Sequence, residues 1–203
     1  MEKKSIFNQV ILFLCFIALI VNTVEINQIR LQTKLSSSKT LIQKIKYNFP
    51  LELKLNQKII NENNAELIIK DKNFAEKINA PISQVKFGYF GEQYSTTNSY
   101  SVSDDNNRFV YVSANVKNLY KKKLNLDSLI SAKMIYDNKY EFNCSSIKLT
   151  KDKTDFSDTI SLMPLQSEDV YFITEMPKNF VNTKKPIDLE LIIDDTKYVM
   201  KLR

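Results

Sequence analysis

The sequence contains no histidine and no tryptophan, and only two cysteines, two glycines and five prolines in 203 residues. Each shortage closes a class of chemistry. Without histidine there is no imidazole to serve as general base or metal ligand near neutral pH. Ser-His-Asp and Cys-His sites are therefore excluded, as is zinc held by Cys and His within one chain. Cys15 lies in an apolar run and Cys144 far down the chain, so no disulfide framework is available and stability must come from packing. With no imidazole to lower its pKa, Cys144 is expected to be a buried or half-buried, unreactive thiol.

Other catalytic patterns fail on their companions. Ser-x-x-Lys occurs at Ser36/Lys39, Ser83/Lys86 and Ser145/Lys148. The chemistry of that pair also needs S-D-N and K-T-G motifs, and neither is present. Asp152, Asp155 and Asp158 recur every third residue. A calcium loop needs ligands at alternate positions and a turn glycine, so these read as a solvated loop. Lys121-Lys122-Lys123 has no interleaved stacking aromatics and reads as a polar loop rather than a nucleic-acid contact. The sequence thus calls for no enzyme activity, no catalytic or metal-binding residue, no cofactor and no nucleic-acid partner.

What is present begins at the N-terminus. Lys3 and Lys4 precede twelve uninterrupted apolar residues, Val10 to Val21, within a stretch of 19 from Ile6 to Val24. Twelve is short for a span and typical of a signal peptide, whereas 19 suffices to cross a bilayer. The cleavage candidates Val21/Thr23 and Ala18/Ile20 are not A-x-A-like, which favours an uncleaved anchor over residues 1–23. Secretion after cleavage is the alternative. Cys15 follows Leu14 where lipidation needs a small residue. Lys3 and Lys4 place the N-terminus inside, so the C-terminal domain is expected outside the cell on a single-pass anchor.

Residues 24–47 form a second segment. Val24, Leu31, Leu35, Ile42 and Ile45 fall on heptad spacing, with Gln28 and Ser38 as breaks, which predicts a helical stalk able to self-associate. The charge is concentrated here. Residues 1–47 carry seven basic and two acidic side chains, leaving 22 basic and 21 acidic beyond. Arg30, Lys34, Lys39, Lys44 and Lys46 follow one another with no acid between them, an arrangement drawn to anionic headgroups or an anionic envelope polymer.

Beyond Pro50, periodicity turns to strands. Leu51, Leu53 and Leu55 alternate with charged residues. Val110, Val112, Ala114 and Val116 alternate with Tyr111, Ser113, Asn115 and Lys117. Further strands are predicted over 131–136, 139–143, 159–163, 169–176, 187–193 and 197–202, with a hairpin turn at Asp194-Asp195. Val85, Phe87 and Tyr89 alternate as well. Residues 58–78 fit either a helix face (Ile60, Leu67, Phe74, Ile78) or strands. Short strands at regular spacing predict an all-β sandwich over 48–203. No internal repeat is present.

Three segments carry a family resemblance: Arg108 to Asn118 (RFVYVSANVKN), Met163 to Ser167 (MPLQS) and Val170 to Lys178 (VYFITEMPK). With the closing hairpin Ile187 to Leu202, residues 108–202 resemble the bacterial extracellular Ig-like domains grouped as domain of unknown function 4352. The resemblance implies a Greek-key antiparallel Ig-like sandwich, on the surface of or secreted from a Gram-positive-type bacterium, and supplies no catalytic residues. It also implies that Asn118 and Pro164 shape turns and that Pro177 ends a strand. Leu165 stands where the family has glycine.

One segment reads as a recognition surface: 88–100, GYFGEQYSTTNSY. It sets aromatics among small polar residues and holds both glycines. Tyr89, Tyr94 and Tyr100 are its candidate contacts. The expected role is non-catalytic binding of another surface protein or envelope polymer. The alternative is a structural subunit of an envelope complex assembled through anchor and stalk.

Overall fold

The computed structural model describes residues 50–61 and 64–203. The predicted anchor over 1–23, the stalk over 24–47, and Arg30, Lys34, Lys39, Lys44 and Lys46 lie outside the described residues. Among the described residues no helix is long and apolar enough to cross a membrane.

The chain from Pro50 folds as strands joined by tight turns. In order they are β1 (Leu51–Glu52), β2 (Lys58–Asn61), β3 (Ala65–Ala75), β4 (Lys77–Asn79), β5 (Gln84–Phe87), β6 (Gln93–Thr96), β7 (Ser99–Ser101), β8 (Asn107–Asn118) and β9 (Leu124–Asn125). Then follow β10 (Ile130–Tyr136), β11 (Tyr140–Asn143), β12 (Ser145–Leu149), β13 (Phe156–Ser157), β14 (Ser161–Leu162), β15 (Ser167–Pro177), β16 (Ile187–Ile193) and β17 (Thr196–Lys201). Two single-turn helices, α1 (Leu126–Leu129) and α2 (Lys178–Val181), precede β10 and follow β15.

Two sheets face each other. One has the order β1-β17-β16-β10-β11, the other β13-β12-β15-β8-β3-β2. Reading β3, β8, β10, β11, β12, β15, β16 and β17 as A, B, C, C′, D, E, F and G gives D-E-B-A against G-F-C-C′, the immunoglobulin-type Greek key. One pair departs from the antiparallel expectation: β1 runs parallel to β17, Leu51 opposite Tyr198. Alternation fills the space between the sheets. Val110, Val112, Ala114 and Val116 of β8 meet Val170, Phe172 and Met176 of β15, and opposite them lie Leu189, Leu191, Met134 and Met200, all buried.

The described residues of 58–78 lie in the strands β2, β3 and β4 and their connections, and the helical spacing does not correspond to one face. Leu67 is fully buried between the sheets while Ile60 is 58% exposed. β3 carries a bulge between Ile69 and Asp71, which leaves Lys70 unpaired and shifts the inward phase of the strand. β12 was not apparent from alternation. Its Ser146 and Ile147 are both buried, because the six-stranded sheet is covered on both faces there.

That outer covering is a ribbon, β4 paired with β7. Under it Ile78, Phe109, Ile147 and Ile173 form a second buried cluster, flanked by Val102, Tyr111, Phe156 and Tyr171. Cys144 packs against the main core, and burial pushes its thiol up to about 12. The expected half-buried free thiol is what the structure shows.

Turns carry the strain. Asp194 and Asp195 are both left-handed, as a two-residue hairpin turn requires. At Met163-Pro164-Leu165-Gln166 the Gln166 amide donates to the Met163 carbonyl at 3.0 Å, and Leu165 has φ +64°. This is a type II turn with proline at its second position and a non-glycine where glycine is preferred. Leu165 is 67% exposed. A left-handed L residue costs about 1–2 kcal/mol, partly offset by the greater unfolded-state entropy of glycine. Leu165→Gly is therefore expected to stabilise the domain by about 0.5–1 kcal/mol, measured by urea denaturation. A loss of stability would count against the strain.

Candidate functional site

Between β4 and β7 the chain leaves the sandwich as a hairpin, β5 against β6, with Lys86 opposite Tyr94 and Phe87 opposite Gln93. Ala80 N donates to Asn98 O at 2.8 Å and closes its base. At the tip, Gly88 N donates to Glu92 O at 2.8 Å and Gly91 N to Gly88 O at 3.0 Å. Gly91 is the conformationally constrained one, and Gly88 leaves room for the Glu92 side chain to fold over the turn. Gly91 has φ +82°, and the Glu92 carboxylate occupies the place a side chain on Gly88 would need. The Glu92 carboxylate also accepts from Phe90 N at 3.1 Å.

The turn holds two aromatic rings clear of the protein. Tyr89 is 97% and Phe90 91% exposed, and they meet edge to face at 5.5 Å. Val85, Phe87 and Tyr94 of the same hairpin are also exposed. The predicted strand through Tyr89 ends at Phe87, because Gly88 turns the chain. Of the three tyrosines singled out, Tyr89 is at the tip and Tyr94 on β6. Tyr100 is set apart from them. Its ring stacks on Phe109 at 5.5 Å and leans on Phe156 at 6.1 Å, and so ties the ribbon to the sheet.

Below the hairpin lies a concavity of about 510 Å³ on the outer face of the six-stranded sheet. Four lysines line it: Lys70, Lys148, Lys151 and Lys153, with Asn115 and Tyr171 on its floor. The β3 bulge aims Lys70 into it, where its Nζ lies 2.6 Å from Asp169 Oδ1. Asn115 Nδ2 donates to the same oxygen at 2.7 Å. Burial works against the Asp169 carboxylate, but the bonds from Lys70 and Asn115 and the charges of Lys70 and Lys153 outweigh it, and its pKa lies below the ordinary value. Lys148 Nζ stands 3.6 Å from Glu168, whose carboxylate also takes the Gln166 amide at 2.7 Å. Burial pushes the Tyr171 phenol up, so it stays protonated and able to donate.

Lys151 and Lys153 are presented by a braced loop. Asp152 accepts from Thr150 Oγ1 at 2.6 Å and from Thr154 Oγ1 at 2.8 Å, and these bonds hold its pKa below the ordinary value. Thr150 N donates to Asp155 O and Lys153 N to Thr150 O, each at 2.9 Å. Lys153 is left-handed, φ +58°. The loop also fastens the hairpin, through Ile82 N to Lys153 O at 3.2 Å and Gln84 Nε2 to Thr154 Oγ1 at 3.1 Å. Asp152 therefore braces its own loop. Among the described residues no group of three or more His, Cys, Asp or Glu could hold a metal ion. In the sequence Asp152, Asp155 and Asp158 read only as a solvated loop, which leaves the Thr-x-Asp-x-Thr spacing of 150–154, with lysine at both intervening places, unused.

The ribbon has its own anchor. Glu175 accepts from Ser103 N at 2.9 Å, Ser103 Oγ at 2.8 Å and Asn107 Nδ2 at 3.2 Å. Burial alone would raise its pKa, yet these donors lower it overall. A carboxylate held low in the fold adds stability that is fully present above the ordinary glutamate range, about pH 4.3, and is lost as pH falls through the folded value. Thermal midpoints from pH 7 to pH 3 should therefore fall on the acid side, and Glu175→Gln should lower the pH 7 midpoint and flatten that fall. An unchanged acid limb would mean that Glu175 does not contribute to it.

No family model matches the sequence, and no curated protein does. Solved structures do. An uncharacterized β-sandwich protein from Clostridium difficile superimposes with a TM-score of 0.63 at 23% identity, covering 76% of this chain and 95% of that one. A conserved hypothetical protein from Bacillus anthracis matches with a TM-score of 0.44 at 14% identity, covering 73% and 94%. The first shares the fold: this chain is similar to a bacterial β-sandwich of the same extent.

Proposed function

We propose that the chain is a membrane-anchored, extracellular, non-catalytic binding module of a Gram-positive-type bacterium. The aromatic tip of its hairpin is the contact surface for another surface protein. The observation that carries this reading is that both glycines of the chain serve the one turn that keeps Tyr89 and Phe90 bare. Burying either ring would be worth about 1.5–3 kcal/mol, and the fold forgoes it. A two-stranded hairpin is marginal by itself, and this one turns Val85 and Phe87 outward as well. Tyr89, Phe90 and Tyr94 combine large contact area with few rotatable bonds, the properties of interface anchors. The Lys3–Lys4 start and the apolar run support the anchor, and the cations at Arg30, Lys34, Lys39, Lys44 and Lys46 suit an anionic membrane surface.

Topology is tested by a cysteine at Ser99 in a Cys144→Ser background, labelled in intact cells with a membrane-impermeant maleimide. Label in the membrane fraction supports the anchored outward domain. Label in the medium means a cleaved, secreted protein, and label only after lysis overturns the reading. For the surface, Tyr89→Ala/Phe90→Ala and Tyr94→Ala should leave the unfolding midpoint unchanged while weakening retention of a crosslinked partner about tenfold or more. Unchanged retention would remove the tip from the interface. Replacing residues 1–47 with an unrelated anchor should preserve retention. Its loss would favour a complex subunit assembled through the stalk.

A further inference from the structure

The lysine-lined groove is not used by the hairpin tip, and its charges do not balance. Asp169 is matched by Lys70 and Glu168 by Lys148. Lys151 and Lys153 have no carboxylate within ion-pair distance among the described residues, so the side chains lining the groove are four lysines against two carboxylates, while the Asp152 carboxylate of the same loop is taken up by Thr150 and Thr154. The excess is built rather than incidental. A strand bulge aims Lys70 inward, and Lys153 is held in a left-handed backbone that an L residue adopts only at a cost. The Asp152–Thr150–Thr154 bonds fix the loop between the two free ammonium groups. Lys148 keeps only a long 3.6 Å pairing and is mostly covered. Its ammonium retains capacity for a second acceptor.

We propose that this groove binds a linear polyanion, a chain bearing a phosphate or carboxylate on each repeat, with the acidic groups at Lys148, Lys151 and Lys153 and the intervening units over Tyr171 and Asn115. Several requirements favour such a ligand. The groove is an open concavity of about 510 Å³ on a sheet face, suited to a chain that passes through. Its polar groups include donors for acidic oxygens, namely ammonium groups and the Tyr171 hydroxyl. Its ring is half-buried and rigid, held edge to face by Tyr111 at 6.0 Å and Phe156 at 6.5 Å. Because the groove sits at the base of the hairpin, fastened to it through Thr154 and Lys153, the two surfaces can be tested separately.

The test uses the full chain in phosphatidylcholine nanodiscs, titrated with inorganic polyphosphate and with polyglutamate, and with neutral dextran as control. The polymers should bind and dextran should not, and the tighter of the two names the acidic group. Lys151→Gln/Lys153→Gln should raise Kd at least tenfold and reduce the slope of log affinity against log salt by roughly 1–2. Lys139→Gln/Lys184→Gln removes the same charge at exposed positions elsewhere and should leave both unchanged. Glutamine at Arg30, Lys34, Lys39, Lys44 and Lys46 tests the stalk, and the groove-dependent loss should persist in that background. Amide resonances of Asn115 and Tyr171 should shift on adding polymer, a readout that needs no variant. Equal loss in the two double variants, loss confined to the stalk variant, or co-flotation with phosphatidylglycerol vesicles without polymer binding would each overturn the proposal.

Discussion

Asn118→Ala is expected to cost about 3 kcal/mol of stability, read as a shift in the urea midpoint at constant slope. The side chain is wholly buried and closes two loops at once. Its Nδ2 donates to Lys122 O at 2.8 Å and to Leu162 O at 3.0 Å, and its Oδ1 accepts from Tyr120 N at 2.8 Å. Its backbone does the same, donating to Gln166 O at 3.0 Å and accepting from Leu165 N at 2.7 Å. Alanine keeps the backbone bonds and leaves two carbonyls and one amide without their partner. A buried polar group left unpaired costs about 1–3 kcal/mol. Asn118→Asp should be worse, since it turns both donors into a charged acceptor facing two carbonyl oxygens. A cost below 1 kcal/mol for alanine would show that water replaces the side chain.

Asn118 also shows how far the sequence could be read. The family resemblance implied that Asn118 and Pro164 shape turns and that Pro177 ends a strand, and the structure places all three so. Strands with one wet face were legible because alternation records burial directly: β8, β10, β15, β16 and β17 all lie within a few residues of expectation. Strands with two dry faces were not. β12 alternates poorly because the outer ribbon covers what would have been its polar side. The bulge at Lys70 was equally silent, since an extra residue leaves no mark in a mixed stretch such as 68–73.

The candidate surfaces divide along the same line. Residues 88–100 stood out by composition, and two of their tyrosines are on the hairpin. Whether an aromatic ring faces out or in depends on a turn whose geometry the glycines set, and that decides between Tyr89 and Tyr100. The groove could not be seen at all. Its lysines come from positions 70, 148, 151 and 153, which only the pairing of β3 with β8 and of β12 with β15 brings to one place.

Phe109→Ala is expected to cost about 3 kcal/mol, near the lower end for a buried phenylalanine, and to do so selectively. Phe109 points outward from β8, yet it is only 2% exposed because the ribbon of β4 and β7 covers it. Its ring meets Tyr100 and shares the outer cluster with Ile78, Ile147 and Ile173. That cluster is separate from the core between the sheets, where Phe172 is fully buried. Removing Phe109 should therefore loosen the ribbon first. Amide exchange at Ile78 and Tyr100 should accelerate more than at Val112 and Phe172, whereas Phe172→Ala should accelerate all four together. Because the hairpin is rooted in that ribbon, Phe109→Ala should also weaken partner retention at the tip without touching Tyr89 or Phe90. Uniform acceleration would mean that the outer cluster and the main core unfold as one unit. The ribbon would then be part of the sandwich itself rather than a platform added to it.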